Sequence, residues 1–106
     1  GGTPEQCCNA ASIALSNLLG LVCDPVRGLV EVPCQTRNTI GATGAFTAAE
    51  LALAGVQFPV PLDEMIGIVN EVGKALPESL RETGKGGCAC AKSVCEACVG
   101  SRREMM

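Results

Sequence analysis

Between Leu21 and Asn38 the chain is apolar and yet cannot repeat. The stretch LVCDPVRGLVEVPCQTRN carries Leu21, Val22, Val26, Leu29, Val30 and Val32, but Pro25, Gly28 and Pro33 interrupt any regular register. Irregular apolar backbone persists only where it is covered, because its N–H and C=O groups need partners away from water. Covered loops of this kind commonly line a site. The segment therefore divides the chain into one helix before it, a long loop, and further helices after it.

The helices are announced by their ends. Thr3-Pro4-Glu5-Gln6 is a strong start: Thr3 suits the N-cap, Pro4 the first helical position, and Gln6 completes a capping box. This helix should run to about Leu19 and stop at Gly20, with Cys7, Ala11, Ala14, Leu15 and Leu18 on one face. A second, Ala-rich helix is expected from about Thr39 to Ala54, closed by Gly55. Gly41 and Gly44 lower its propensity by about 1 kcal/mol each, so their expected use is close contact with a neighbouring backbone. After the extended linker Gln57–Pro61, a third helix should span about Leu62 to Leu76. Asp63 and Glu64 favour its N-terminal dipole and Lys74 its C-terminus. Met65, Ile66, Val69, Val72 and Leu76 form its apolar stripe, and Pro77 opens a further short turn. The expected fold is all-α: three main helices, a long irregular cysteine-bearing loop between the first two, and a flexible Cys-rich tail.

The core available to these helices is thin. Of 106 residues 47% are hydrophobic, yet there are two Phe and no Trp or Tyr. The apolar mass is Ala, Val, Leu, Ile and Cys, which reads as part of a larger assembly more readily than as a self-sufficient domain. A net charge of −3 with few aromatics disfavours nucleic-acid partners. No apolar run reaches the ~18 residues a membrane span requires, and no segment reads as a signal peptide, so a cytoplasmic chain with no membrane partner is expected.

Histidine is absent, which removes the commonest general base and the commonest zinc ligand. A metal site here must be built mainly from sulfur. The eight cysteines are better read as metal ligands or reduced thiols than as a disulfide framework. Cys23 and Cys34 share the apolar loop, each close to a proline that stiffens the backbone: Cys23-Asp24-Pro25 and Pro33-Cys34. Two thiolates on such a loop suit a soft metal or cluster. On spacing alone, however, two small buried apolar residues are the stronger reading.

The stretch LGLVCDPVRGLVEVPCQTRNTIGA (Leu19–Ala42) resembles the signature of the iron–sulfur L-serine dehydratases. GGTPEQ upstream, and AAELALAGV and LRETGKGG downstream, are similar to that family in order and approximate spacing. The resemblance extends to Gly87. It implies the C-terminal part of an α chain, with Cys23 and Cys34 as ligands of a [4Fe–4S] cluster. In that family three cysteines hold the cluster and one iron stays open to substrate; the third cysteine lies upstream of the first helix, in a segment this chain lacks. Cys7 and Cys8 do not match it and are expected to be packing residues.

By the same resemblance, the open iron acts as a Lewis acid on the serine hydroxyl while a base removes the α-proton, giving aminoacrylate and then pyruvate and ammonia. Arg37 and Asn38, just after the second cysteine, are candidates for contact with the substrate carboxylate. A role for Arg37 in stapling the loop is equally open. The implied partners are L-serine, the remainder of the α chain and a β chain or domain, in an oligomer.

The end of the chain departs from the family, which usually reads GGLA where this sequence reads GGCACAKSVCEACVG. Residues 1–87 are therefore taken as the catalytic-domain part and 88–106 as a divergent tail. Cys88, Cys90, Cys95 and Cys98 suit an inhibitory fold-back onto the open iron, a separate zinc, or no function. A related cysteine desulfidase-type lyase and a non-catalytic metal-binding helical module remain alternatives to the dehydratase.

Overall fold

The structure, a computed structural model, describes residues 1–94 and is all-α in its regular elements. Its three helices are α1 (Pro4–Leu18), α2 (Cys34–Leu53) and α3 (Leu62–Ala75). By its contacts the chain forms two units, one joining Gly1–Leu21 to Asn38–Ala75, the other joining Val22–Arg37 to the segment that begins at Leu76. Cys95 and Cys98 of the tail lie outside the described residues.

In the first unit, α1 starts as its sequence dictates. The Gln6 N–H donates to Thr3 Oγ1 at 3.1 Å, and the Thr3 N–H donates back to Gln6 Oε1 at 2.9 Å. The chain leaves the helix at Leu19, which is already extended, and Gly20, at φ 82°, completes a tight turn in which the Leu21 N–H donates to the Leu18 carbonyl at 3.3 Å. Ser12 and Ile13 are its buried residues, and neither belongs to the expected stripe, whose members are exposed or half-buried. Cys7 and Cys8 are both exposed, which corrects the expectation that they pack. Cys8 lines an open cleft of about 430 Å³ with Asn9, Ser12 and Phe58.

Helix α3 packs against α1. Met65 is the anchor, 2% exposed, whereas Ile66 and Val69 of the expected stripe face outward at 53% and 37%. The apolar residues of α3 wrap around it, so composition alone did not select the face. Asn9 ties the linker to α1: its Nδ2 donates to the Val56 carbonyl at 2.6 Å, and its Oδ1 accepts from the Phe58 N–H at 2.9 Å. These bonds satisfy backbone that has no helix of its own.

Helix α2 begins at Cys34, five residues before the expected start at Thr39. The Gln35 N–H donates to the Glu31 carbonyl at 2.9 Å and the Arg37 N–H to the Pro33 carbonyl at 3.0 Å. The apolar period missed this turn because nothing regular is buried there: Gln35, Thr36, Asn38, Thr39 and Ile40 are all exposed. The loop is accordingly shorter than expected, and Cys34, Arg37 and Asn38 are helical residues. Along the whole of α2 only Ala48 and Ala52 are buried. No backbone comes within 4 Å of where a side chain would stand at Gly41 or Gly44, so neither glycine serves the close approach expected of it.

The second unit consists of loop, the first turn of α2, and short 3₁₀ turns at Val26–Gly28, Glu78–Leu80 and Gly87–Cys90, and the loop expected to be covered leaves Leu29, Val30 and Val32 exposed in this chain. Its backbone is organised by one isolated parallel bridge between Cys23 and Arg81. Among the described residues no helix is long and apolar enough to cross a membrane.

Candidate functional site

Cys23 is held by its backbone. Its N–H donates to the Leu80 carbonyl at 2.9 Å, and its own carbonyl accepts from the Glu82 N–H at 2.8 Å. With both main-chain groups engaged, only the thiol is left to act. Glu82 makes this contact at φ 66°, a left-handed conformation that costs a non-glycine residue about 1 kcal/mol or more. Cys34 stands at the first residue of α2, half-buried like Cys23.

Arg37 lies one helical turn beyond Cys34. Its Nη1 donates to the Val22 carbonyl at 2.9 Å and to Asp24 Oδ1. One guanidinium nitrogen therefore grips the residues on both sides of Cys23. Asp24 is buried, 2% exposed. Its second oxygen, Oδ2, accepts from the Cys88 backbone N–H at 2.6 Å. Gly87 makes that approach possible: a Cβ there would collide with Asp24 Oδ2, and its φ of 63° also favours glycine.

Electrostatics follow from this packing. Burial pushes the Cys23 thiol up, and the neighbouring charges of Glu82, Cys34 and Asp24 push the same way, against Arg37. For Asp24 burial works upward but is outweighed by the Cys88 N–H and by Arg37, which together hold its carboxyl below the usual range. The hydrogen bond to Asp24 raises Arg37 further, against its own partial burial. Cys88 is raised too, first by its hydrogen bond to Asp24 and then by that carboxylate's charge.

The two sequence-predicted cysteines and Arg37 are thus brought together, while Asn38 is exposed on α2. Sequence reasoning passed over Asp24 and Gly87. Their only local signals were an acidic residue inside an apolar loop and a paired glycine after a charged turn. The donor set is sulfur, which suits a soft metal or an iron–sulfur cluster. A charge on Cys34 is felt at Cys23, and a cation lies beside both to offset thiolate charge. Among the described residues no group of three or more candidate ligands is close enough to hold a metal ion. Cys23 and Cys34 accordingly fit as two ligands of a larger set.

Residues 1–89 match the family model described as serine dehydratase alpha chain. The chain belongs to the serine dehydratase alpha chain family. It is 56% identical over 89 residues to a probable L-serine dehydratase alpha chain of Bacillus subtilis, covering 84% of this chain and 30% of that one. It is 55% identical over 93 residues to an L-serine dehydratase alpha chain of Peptoniphilus asaccharolyticus, 88% of this chain and 32% of the relative. With L-serine dehydratase 1 of Escherichia coli the identity is 48% over 90 residues, 84% of this chain and 20% of the relative. The chain thus spans a third or less of the length of these three relatives. No solved structure matches it. The serine dehydratase alpha chain match includes the cysteine loop, α2, and the turn that carries Gly87 to Asp24.

Proposed function

We propose that this chain is the cluster-bearing part of an iron–sulfur L-serine dehydratase, converting L-serine to pyruvate and ammonia. The observation that carries the reading is that Arg37, one turn beyond Cys34, grips the residues on both sides of Cys23, within a sequence matched to the serine dehydratase alpha chain family.

Cys23 and Cys34 would hold a [4Fe–4S] cluster as two of its cysteine ligands. When bound, such a cluster supplies Lewis acidity to the serine hydroxyl, so that water leaves the β-carbon as the α-proton is removed. The resulting aminoacrylate hydrolyses to pyruvate and ammonia. Within this chain the cysteine thiols bind, and Arg37 supports them: its Nη1 is engaged by Asp24 and Val22, which favours the stapling role over contact with a substrate carboxylate. The further ligand and the base for the α-proton come from outside the described residues. In this reading they belong to the rest of the α chain, which assembles with a β chain or domain. A cytoplasmic setting, which keeps thiols reduced, belongs to the same proposal.

The test uses the complete α polypeptide with its companion chain, purified without oxygen and reconstituted with iron and sulfide. The expected result is about four iron and four sulfide per site, absorbance near 400 nm, and pyruvate formed from L-serine. Cys23→Ala and Cys34→Ala should each abolish the absorbance. A cluster that survives either substitution refutes the ligand assignment, and turnover of L-cysteine in place of L-serine refutes the substrate.

A further inference from the structure

The two thiols sit on different pieces of backbone, and something must set their separation. The loop around Cys23 has no regular structure, while Cys34 rides on the first turn of α2. One side chain bridges the two. Asp24 follows Cys23 directly, and its Oδ1 accepts from Arg37, three residues along the helix from Cys34 and on the same face. Its Oδ2 accepts from the backbone of Cys88, 64 residues further along the chain. Beside it, Leu80 and Glu82 hold the backbone of Cys23.

We propose that Asp24 is a positioning residue, whose two carboxylate oxygens join the Cys23 loop to Arg37 on α2 and to the Gly87–Cys88 backbone, and so fix where the two cysteine ligands stand. This rests on Cys23 and Cys34 being cluster ligands. The segment Leu80–Cys88 then belongs to the ligand site although neither predicted ligand lies in it. A role in stability alone is a poor account of Asp24. A buried ion pair is weak evidence for stability, because the attraction does little more than offset the desolvation of two charges. A buried carboxylate with both oxygens committed is better matched to holding geometry. Partners of this kind around metal ligands typically contribute about 10–100-fold to metal affinity.

Gly87 supplies a test that does not touch Asp24 itself. Gly84 and Gly87 both hold left-handed backbone, at φ 69° and 63°. A Cβ at Gly84 would meet nothing within 4 Å, whereas one at Gly87 would strike Asp24 Oδ2. Gly84→Ala and Gly87→Ala therefore carry similar backbone strain, and only the second displaces the carboxylate.

The experiment uses the complete enzyme, reconstituted without oxygen. It reads the half-life of the 400 nm absorbance under an iron chelator, iron per chain, and thermal unfolding of the metal-free protein by far-UV circular dichroism. Asp24→Ala and Gly87→Ala should shorten the cluster half-life about tenfold. Arg37→Lys, which keeps the charge but not the fork, should give an intermediate loss, and Gly84→Ala should leave it unchanged. Wild-type cluster lifetime in a folded Asp24→Ala variant overturns the proposal. Equal lability in Gly84→Ala and Gly87→Ala overturns it as well, since strain alone would then explain both. Where Asp24→Ala lowers metal-free stability, the Gly84→Ala and Gly87→Ala pair decides. A cluster retained in Cys23→Ala or Cys34→Ala refutes the underlying reading instead, and so separates the two failures.

Discussion

Truncating Met65 should destabilise the 106-residue chain, and truncating the larger Phe46 should not. Met65 is 2% exposed on α3, the helix that packs against α1. A buried Met→Ala change costs about 2–5 kcal/mol, and about 3 is a reasonable centre. The deeply buried apolar side chains among the described residues are Ile13, Ala48, Ala52 and Met65, so little remains to compensate. Against a total stability of about 5–15 kcal/mol, a loss of about 3 lowers Tm by about 12–24 °C. Phe46 is larger yet 77% exposed, so only about a quarter of its burial free energy, or about 0.5 kcal/mol, is at stake. Alanine's higher helix propensity recovers about as much, and the net change should be near zero. Urea unfolding followed by far-UV circular dichroism measures both. Equal costs for the two variants would refute the placement of Met65 in the core and of Phe46 outside it. In the complete enzyme Phe46→Ala should instead cost about 3–5 kcal/mol, as for a buried aromatic, if the rest of the assembly covers α2.

Three further outcomes are expected. The chain alone, reconstituted with iron and sulfide, should form no pyruvate from L-serine at an enzyme-like rate; such turnover would show that no outside ligand is needed. The bond from the Cys88 N–H to Asp24 should be pH-dependent: Asp24 is held below its ordinary value, so its contribution is complete above about pH 4 and is lost as pH falls through the lower folded-state value. The protection factor of the Cys88 amide in the metal-free protein, its exchange rate taken relative to that of an unstructured amide at the same pH, should fall only in that acid range, and loss of protection near neutrality would contradict the assignment. Cys23, raised chiefly by burial, should be alkylated in the metal-free protein with a pH profile displaced above that of free cysteine at about 8.5, and an undisplaced profile would count against the packing around it.

Local chemistry sufficed for most of the helix ends. Thr3 and Gln6 satisfy first amides of α1 between themselves, Pro4 has no N–H to satisfy, and Gly20 and Gly55 take the turns that follow their helices at φ 82° and 93°, conformations that other residues resist. These are contacts between near neighbours in sequence, so they could be read there. The expectation that Cys23 and Cys34 share a site came from a long, compositionally unusual motif and not from spacing.

The start of α2 was not legible, because a helix that buries only Ala48 and Ala52 leaves no apolar period to find. The stripe read from the sequence of α3 held Met65, the residue that is buried, together with Ile66 and Val69, which face outward, and the stripe read for α1 missed Ser12 and Ile13; both helices carry apolar residues on more than one face, and their mutual contact made the choice. The arrangement around Asp24 belongs wholly to tertiary structure. Arg37 is 13 residues from it and Cys88 is 64. A carboxylate buried between them is tolerable only because both oxygens are satisfied. No local pattern encodes that condition, since it holds only when the loop, the first turn of α2 and the Gly87 turn occupy one place.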